Sequence, residues 1–223
     1  MSFFSRLFGT APASRPSSVA SVATDSTASL PAHGWFRRGR LGNIAVSTLA
    51  FAVRDADLPA AAKIEVSEHR EQPGLAMIFV GDDDNAVVQA TATAITALLE
   101  PHAATEELSG LLKLTISTKC VPIGPKCQLV IPQIRPADDA RADFVGILSQ
   151  GMGMVGKHPG TQQIGLYEEV GGNLVYVYEI WVDYPTVYGV RYGNPEMAAQ
   201  ADKTMASARG PHHVDWLNLL YAR

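Results

Sequence analysis

A glycine-rich segment at residues 151–158, with the sequence GMGMVGKH, has the spacing in this chain that most resembles a chemical motif. It satisfies the G-x-G-x-x-G dinucleotide pattern and the first seven positions of the phosphate-binding pattern G-x-x-x-x-G-K-[ST]. Both patterns need a preceding strand and a following helix whose N–H groups hold phosphate. Here the preceding residues have a helical pattern, His158 replaces the hydroxyl, and Pro159 opposes a new helix. The sequence therefore predicts a helix end and a loop, with nucleotide binding as the minor alternative.

Three consecutive acids, Asp82, Asp83 and Asp84, follow an apolar segment at residues 74–80 that has the composition of a strand. Carboxylates at the C-terminal end of a strand can hold magnesium or act as nucleophiles. The same acids lie where a helix N-terminus favours negative charge, because apolar residues at helical spacing follow them. Helix capping is the simpler prediction, and a hydrolase or transferase that uses these three acids is the alternative.

The cysteines and the paired histidines do not form a recognisable metal motif. The spacing between Cys120 and Cys127 is wider than that of a zinc knuckle, and it predicts two reduced thiols, with a local disulfide as the alternative. His212 and His213 are adjacent and would point in different directions, so together with Asp215 they offer one natural ligand at most. From the sequence we therefore assign no metal, no cofactor and no catalytic residue.

Aromatic residues are concentrated near the C-terminal end of the chain, where five of the seven tyrosines and Trp181 fall between residues 176 and 192. Both faces of the predicted strand 174–183 are apolar, so both must be covered. One possibility is a central hairpin buried on both sides, and the other is that a partner covers one face, since Tyr and Trp are favoured at interfaces. The candidate partner-binding residues are Tyr176, Tyr178, Trp181, Tyr184 and Tyr188.

Residues 1–34 differ from the rest because Ser, Ala, Thr and Pro dominate them. They cannot bury enough apolar surface to offset the entropy of ordering, which predicts a flexible tail before one globular domain at residues 35–223. Four apolar side chains at helical spacing near the start suggest a short anchor for a membrane surface or a partner. These anchor residues are Phe3, Phe4, Leu7 and Phe8. A transit peptide and a segment without a role are the alternatives.

The composition indicates a globular protein and limits its partners. Hydrophobic residues make up 47% of the chain, charged residues 18%, and the net charge is −4. This mild acidity gives no sign of a nucleic-acid partner. No apolar run reaches the roughly 18 residues that a membrane-spanning helix needs. We therefore predict a cytoplasmic protein, with peripheral membrane contact through residues 1–8 as a further possibility.

Local patterns predict most of the secondary structure. We expect helices after Asp84, at about 138–150, at about 194–209, and in a short C-terminal segment that carries Val214 and Leu217. We expect strands at 74–80, 111–118, 127–134 and 186–192, and a hairpin formed by 162–170 and 174–183. Pro132 suggests an edge strand for 127–134, and residues 43–53 fit either a strand or a buried helix. No internal repeat is evident.

Together these elements predict an α+β fold: a mixed, mostly antiparallel sheet with a C-terminal β-hairpin and flanking helices, behind a disordered N-terminal tail. A three-layer α/β arrangement is the alternative, because helices and strands alternate between residues 74 and 150. The leading functional hypothesis is a non-enzymatic interaction or regulatory module, tethered by its tail to a larger assembly or membrane surface. Its partner would be another protein or a second copy of the chain.

Overall fold

The computed structural model describes residues 30–60, 62–102, 104–121, 123, 127–137, 141–209 and 213–223. Within these ranges the chain forms eight strands and five α-helices. The strands are β1 His33–Arg40, β2 Lys63–His69, β3 Leu75–Asp82, β4 Thr105–Cys120, β5 Gln128–Ile134, β6 Thr161–Glu169, β7 Val175–Trp181 and β8 His213–Ala222. The helices are α1 Val46–Asp55, α2 Asn85–Leu99, α3 Arg141–Lys157, α4 Tyr184–Gly193 and α5 Pro195–Ala206, and a 3-10 turn, Glu100–His102, follows α2.

The order of the elements repeats once along the chain. The first half runs β1-α1-β2-β3-α2-β4, and the second runs β5-α3-β6-β7-α4-α5-β8. Each half is a four-stranded antiparallel sheet, ordered β4-β1-β3-β2 in the first and β6-β7-β5-β8 in the second, which is the ferredoxin-like topology. The expectation of no internal repeat is therefore wrong, because element order and not a recurring residue pattern carries the repeat.

Two ladders join the half-sheets into a closed eight-stranded barrel. Strand β2 pairs with β8 on one side, and β4 pairs with β6 on the other. Closure leaves no unpaired edge, so every strand has a neighbour on both sides. The predicted α+β class with an antiparallel sheet is confirmed. The hairpin β6–β7 is also present, with Gly171 at φ 77° in its turn, but it lies within the barrel wall and does not end an open sheet.

The barrel separates three apolar cores. Its interior holds Phe36, Phe79, Tyr167, Tyr176 and Tyr178 among aliphatic side chains. Helices α1 and α2 cover the outer face of the first half-sheet, and α3, α4 and α5 cover the outer face of the second. Successive side chains of each strand therefore point alternately into the barrel interior and into a helix-covered layer. This is why both faces of β7 are apolar.

Several helices have the capping signals that the sequence predicts. Asp84 caps α2 by accepting the Ala86 N–H at 2.8 Å, and Asn194 caps α5 by accepting the Glu196 N–H at 2.9 Å. The open choice for residues 43–53 is settled as helix α1 from Val46. Helix α3 runs to Lys157, so the glycine-rich segment lies inside a helix and forms no phosphate-binding loop.

Two segments have the opposite structure to the one predicted. Residues 186–192 belong to helix α4, not to a strand, because Asp183 accepts the Thr186 N–H at 2.8 Å and Pro185 occupies the first turn. The C-terminal segment is strand β8, not a helix, because β2 and β5 pair with it on both sides. Strand β5 likewise lies between β7 and β8 and is not an edge.

The described chain begins to contact the barrel before residue 35. Leu30 is buried in the interior core, and the Pro31 carbonyl accepts the Tyr167 hydroxyl at 3.0 Å. The tail at residues 1–34 and its anchor residues Phe3, Phe4, Leu7 and Phe8 stay predictions, because residues 1–29 lie outside the described part of the chain. Among the described helices, none has both the length and the apolar character that a bilayer crossing requires.

One end of the barrel interior contains a charged network that links the two halves. The Tyr178 hydroxyl of β7 donates to both oxygens of Glu65 on β2, at 2.6 and 2.7 Å. The Lys63 amine lies 3.0 Å from Glu65 Oε1 and donates to Tyr178 Oη and Gln163 Oε1, each at 2.9 Å. Burial, with the adjacent Glu65 charge, raises the pKa of Tyr178 well above its usual value. The phenol therefore stays a donor.

Tyr178→Phe tests this network, and Tyr176→Phe is its matched control on the same face of β7. We expect Tyr178→Phe to lower the free energy of unfolding by about 1.5–3 kcal/mol, the usual worth of a hydrogen bond to a charged group. The Tyr176 hydroxyl is buried with no hydrogen-bond partner in the described chain, so its removal should be neutral or stabilising. Urea unfolding of both variants measures the difference, and equal losses would contradict the role of the network.

A second stability test concerns the residues just before β1. A chain that begins at Gly34 loses the buried Leu30 side chain, which we expect to cost roughly 1.5–3 kcal/mol. It also loses the carbonyl that accepts the Tyr167 hydroxyl. The reference is a chain that begins at Ser29, and the readout is the urea midpoint of each. Identical midpoints would show that residues 30–33 do not belong to the folded unit.

Candidate active site

A cavity of about 90 Å3 lies between the outer face of the second half-sheet and helices α3 and α5. At roughly 10–15 Å3 for each water-sized sphere, it has room for a small organic molecule. Most of its wall is apolar. The lining residues are Pro132, Ile134, Leu148, Gly151, Met152, Val155, Ile164, Val177, Glu179, Arg191, Met197, Gln200, Ala201, Thr204, Met205 and Val214.

The glycine-rich part of α3 brings that helix close to α5 at the cavity. A Cβ atom on Gly151 would lie 3.0 Å from Gln200 Cγ, which is tighter than ordinary packing. Glycine at this position therefore allows the close approach of the two helices. The segment whose spacing resembles a nucleotide motif thus serves helix packing beside the cavity.

Methionines make part of the cavity wall adaptable. Met152 on α3 and Met197 and Met205 on α5 all line it. Methionine is flexible and polarizable, so it can repack around ligands of different shape. Pro132 lies at the wall as well, in the part of β5 where regular pairing with β7 is interrupted between Val130 and Gln133. The sheet is consequently less regular where it forms the cavity floor.

A buried ion pair provides the charge in this apolar cavity. Glu179 on β7 and Arg191 on α4 both line it and are 4% and 8% exposed. Arg191 Nη2 donates to Glu179 Oε2 at 2.5 Å, and the Trp181 indole N–H donates to the same oxygen at 2.9 Å. Oε1 of Glu179 therefore has no donor among the described residues. A carboxylate oxygen is left available toward the cavity, next to a guanidinium group.

The other polar side chains of the wall are already engaged with the backbone. Gln200 Nε2 donates to the Ile147 carbonyl at 2.5 Å, and Thr204 Oγ1 donates to the Gln200 carbonyl at 3.0 Å. Gln200 and Thr204 therefore hold α5 in position, and their donor groups are already used by the backbone. The arrangement can therefore accept a proton at Glu179 and hold negative charge at Arg191, in an environment that excludes most water.

Three of the predicted partner-binding residues are buried within the chain. Tyr176 and Tyr178 point into the barrel with 2% and 1% exposure, and Trp181 has none. A second molecule cannot reach them, because the barrel core and the helices already cover both faces of β7. For these residues the partner hypothesis is corrected in favour of a hairpin buried on both sides.

Tyr184 and Tyr188 have a different setting, on the outer side of helix α4. Tyr188 is 37% exposed, and Tyr184 is partly exposed. Their predicted role in partner binding remains a prediction, as does the choice between another protein and a second copy of the chain.

The three consecutive acids act on the backbone around the start of α2. Asp82 accepts the Asp84 N–H at 2.9 Å, Asp83 accepts the Ala32 N–H at 2.9 Å, and Asp84 caps the helix. None of them lines the cavity. Asp84 is therefore the helix cap, while Asp82 and Asp83 accept other backbone N–H groups, and the proposed hydrolase or transferase site at these acids is not retained.

Sequence reasoning missed the two residues that give the cavity its charge. The sequence patterns assign no role to Glu179, and they place Arg191 in a predicted strand. One signal was available, since Glu179 is the single charged residue on a strand face otherwise formed by Val175, Val177 and Trp181. A lone carboxylate on an apolar face is costly to bury without a partner. That partner, Arg191, could not be identified from the strand pattern.

No group of three or more His, Cys, Asp or Glu side chains is placed to hold a metal ion within the described residues. His69 and His213 approach Asp215 Oδ1 at the barrel end, at 3.5 and 2.9 Å. His69 Nδ1 accepts the Glu71 N–H at 3.1 Å, so the neutral ring carries its proton on Nε2 and donates toward Asp215. Burial lowers the pKa of His69, which favours this neutral form.

The cysteines form no disulfide in this structure. Cys127 Sγ donates to Gln162 Oε1 at 2.8 Å. Burial raises the pKa of Cys120, so this thiol stays protonated at neutral pH. Neither side chain lines the cavity.

Comparisons with known proteins show which solved structures share this fold. No protein-family model matches the sequence, and no curated protein matches it either. A proposed monooxygenase from Fusobacterium nucleatum superposes with a TM-score of 0.68 at 10% identity, over 86% of this chain and 94% of that chain. An anthrone oxidase-like protein gives 0.63 at 11% identity, over 86% and 93%. The haem-degrading enzyme of Listeria monocytogenes gives 0.54 at 10% identity, over 83% and 98%.

These likenesses correct the leading functional hypothesis from the sequence. The structures that share the whole barrel are described as monooxygenase-like, anthrone oxidase-like or haem-degrading. The aromatic residues that motivated an interaction module are mainly buried core. The prediction of a non-enzymatic interaction or regulatory module is therefore wrong.

Haem does not fit the cavity. Haem iron is held by His, Cys, Tyr or a Met–His pair, and the lining residues include no His, Cys or Tyr. The residues present therefore suit a small organic molecule and not this cofactor.

A substitution that fills the cavity tests whether it binds such a molecule. We expect Ala201→Leu to weaken the binding of phenol, used as a probe, at least about tenfold, a loss of roughly 1.4 kcal/mol, because the added side chain occupies space that the ligand would fill. Ala199→Leu is the matched control, since Ala199 is an exposed residue of the same helix. Ligand-observed NMR measures binding, and circular dichroism checks the fold. Equal affinity in both variants would place the phenol outside the cavity.

Proposed function

We propose that this protein is an oxidative enzyme whose substrate is a small, largely apolar molecule with one ionisable group. The observation that carries the proposal is the buried Glu179–Arg191 pair in the wall of an otherwise apolar cavity. Descriptions of proteins with the same fold, as a monooxygenase and as anthrone oxidase-like, support the oxidative class. Buried charged pairs in a concave site are typical of catalytic centres.

The shape and charge of the cavity limit the substrate. Its apolar wall favours an aromatic or aliphatic ring over a sugar or a phosphate ester. Arg191 favours a group that becomes negative during the reaction, such as a phenol or an enolisable ketone. A compact aromatic ketone of the anthrone type combines these features. The methionines on α3 and α5 provide the adaptability that a rigid, flat ring requires.

Glu179 and Arg191 would divide the chemistry between them. Glu179 Oε1 accepts a proton from the substrate carbon or oxygen and leaves an electron-rich anion. Arg191 stabilises that anion, and the apolar wall strengthens the interaction by excluding water. Dioxygen takes two electrons from the anion as a C–O bond forms, and protonation gives a hydroperoxide. Loss of the second substrate proton then forms the C=O bond and breaks the O–O bond, which takes the remaining two electrons, and the outer oxygen leaves as water. The balance is SH2 + O2 → S=O + H2O, in which the substrate is oxidised and dioxygen is reduced.

Oxygen uptake with anthrone as the probe tests the proposal. We expect Glu179→Gln to lower kcat/KM by about 10²–10⁴-fold, the usual worth of a positioned general base. Glu168→Gln is the matched control, because Glu168 forms an ion pair with Arg141 outside the cavity. Circular dichroism and the urea midpoint establish that each variant is folded.

The same oxygen-uptake measurements can contradict the proposal. Equal oxygen uptake by folded Glu179→Gln and by wild type would remove Glu179 from the chemistry. Absence of uptake by the wild type, with anthrone and with a set of phenols that the NMR assay shows to bind, would exclude this oxidative role.

A further inference from the structure

Four aromatic rings form a continuous ladder beside the candidate active site. Trp216 on β8 contacts Tyr184 with ring centroids 5.4 Å apart. Tyr184 contacts Tyr188 at 5.8 Å, and Tyr188 contacts Tyr192 at 4.4 Å. The tyrosines lie four residues apart on α4, so they share one face of that helix.

The inner part of the ladder adjoins the cavity. Trp216 is 4% exposed and belongs to the apolar core around the cavity. Val214, which lines the cavity, lies two residues before it on the same face of β8, a separation of about 7 Å along a strand. Arg191, also in the cavity wall, directly precedes Tyr192. The ladder therefore begins within one or two side chains of the place where oxidation would occur.

The outer part of the ladder reaches solvent. Tyr188 is 37% exposed, which makes it one of the large side chains that the described surface presents to water. Arg70 lies over the Tyr184 ring, 3.9 Å from its centroid. A guanidinium group so close disfavours a ring that carries positive charge, so a tyrosine here must lose its proton when it loses an electron.

We propose that Trp216, Tyr184 and Tyr188 form an electron-transfer chain that carries oxidising equivalents from the cavity to the protein surface. This inference rests on the proposed oxidative function, because electron transfer through these residues is useful only if a reactive oxygen intermediate forms in the cavity. Indole and phenol are the side chains that are most readily oxidised by one electron without breaking the backbone. Rings in contact allow the electron to move in short steps.

The proposed transfer balances in electrons and protons. An oxygen-centred radical RO• that escapes the normal reaction takes one electron and the indole N–H proton of Trp216 and becomes ROH, which leaves a neutral Trp216 radical. The Trp216 radical then takes an electron and a proton from Tyr184, and the Tyr184 radical takes them from Tyr188. An enediol reductant such as ascorbate finally gives one electron and one proton to Tyr188. The net change is the reduction of RO• to ROH and the one-electron oxidation of the enediol.

Pulse radiolysis of the full chain tests the first step without any substrate. Azidyl radicals oxidise tryptophan, and time-resolved absorption separates the tryptophan radical from the tyrosine radical. In the wild type we expect the tryptophan signal to convert to the tyrosine signal in a rapid first-order phase that is independent of protein concentration. Tyr184→Phe and Trp216→Phe should each lose this phase. Tyr221→Phe is the control, because Tyr221 packs in the core of the first half and outside the ladder.

The second step is tested at the surface. In Tyr188→Phe the first-order phase should remain, while the reduction of the tyrosine radical by ascorbate should become slower, because Tyr184 is less exposed than Tyr188. A rapid phase that persists in Tyr184→Phe, or its absence in the wild type, overturns the chain. An ascorbate rate unchanged in Tyr188→Phe overturns the surface exit.

The two proposals can fail separately. Radical transfer without any oxygen uptake would leave the ladder in place and remove the oxidative function that gives it a purpose. Oxygen uptake without radical transfer would keep the enzyme and remove the ladder.

Discussion

Closure of two four-stranded sheets, through the β2–β8 and β4–β6 ladders, is the constraint on which the rest of the structure depends. Closure removes every unpaired edge, but it places half of the strand side chains in an interior that water cannot reach. Polar groups there must find partners across the barrel. Glu65 does so with Lys63 and Tyr178, and Asp215 does so at the other end with Arg38 and Gln133. Each of these two carboxylates joins strands from both halves of the chain.

The filled interior also explains why the candidate active site lies outside the barrel. Aromatic and aliphatic side chains occupy the space within the strands, so the remaining place for a ligand is the layer between sheet and helices. The two halves differ in that layer. A single helix, α2, follows β3, whereas two shorter helices, α4 and α5, follow β7 and meet at Asn194 and Pro195. This break lets Arg191 point inward from α4 while α5 supplies a methionine-rich wall.

Helix α4 thereby connects charge, cavity and surface. Arg191 on its inner side neutralises Glu179, so the strand can keep a carboxylate in an apolar layer where an unpaired charge would be very costly. The outer side of the same helix carries the stacked tyrosines and leads to solvent. Both the proposed oxidative chemistry and the proposed electron transfer therefore depend on this one helix.

The sequence by itself determined the α+β class, the capped helices α2 and α5, the hairpin β6–β7 and the capping role of Asp84. Short-range spacing and local hydrogen bonds control these features. It misassigned α4 as a strand, because Tyr and Val favour strands. It misassigned β8 as a helix, because its apolar residues recur at three- and four-residue spacing. In both segments, tertiary contacts override the local preference. It also assigned no role to Glu179. Only the tertiary structure decided the repeat, the closed barrel and the Glu179–Arg191 pair. Those features depend on contacts between distant segments, and local sequence patterns do not encode which strands or side chains will meet.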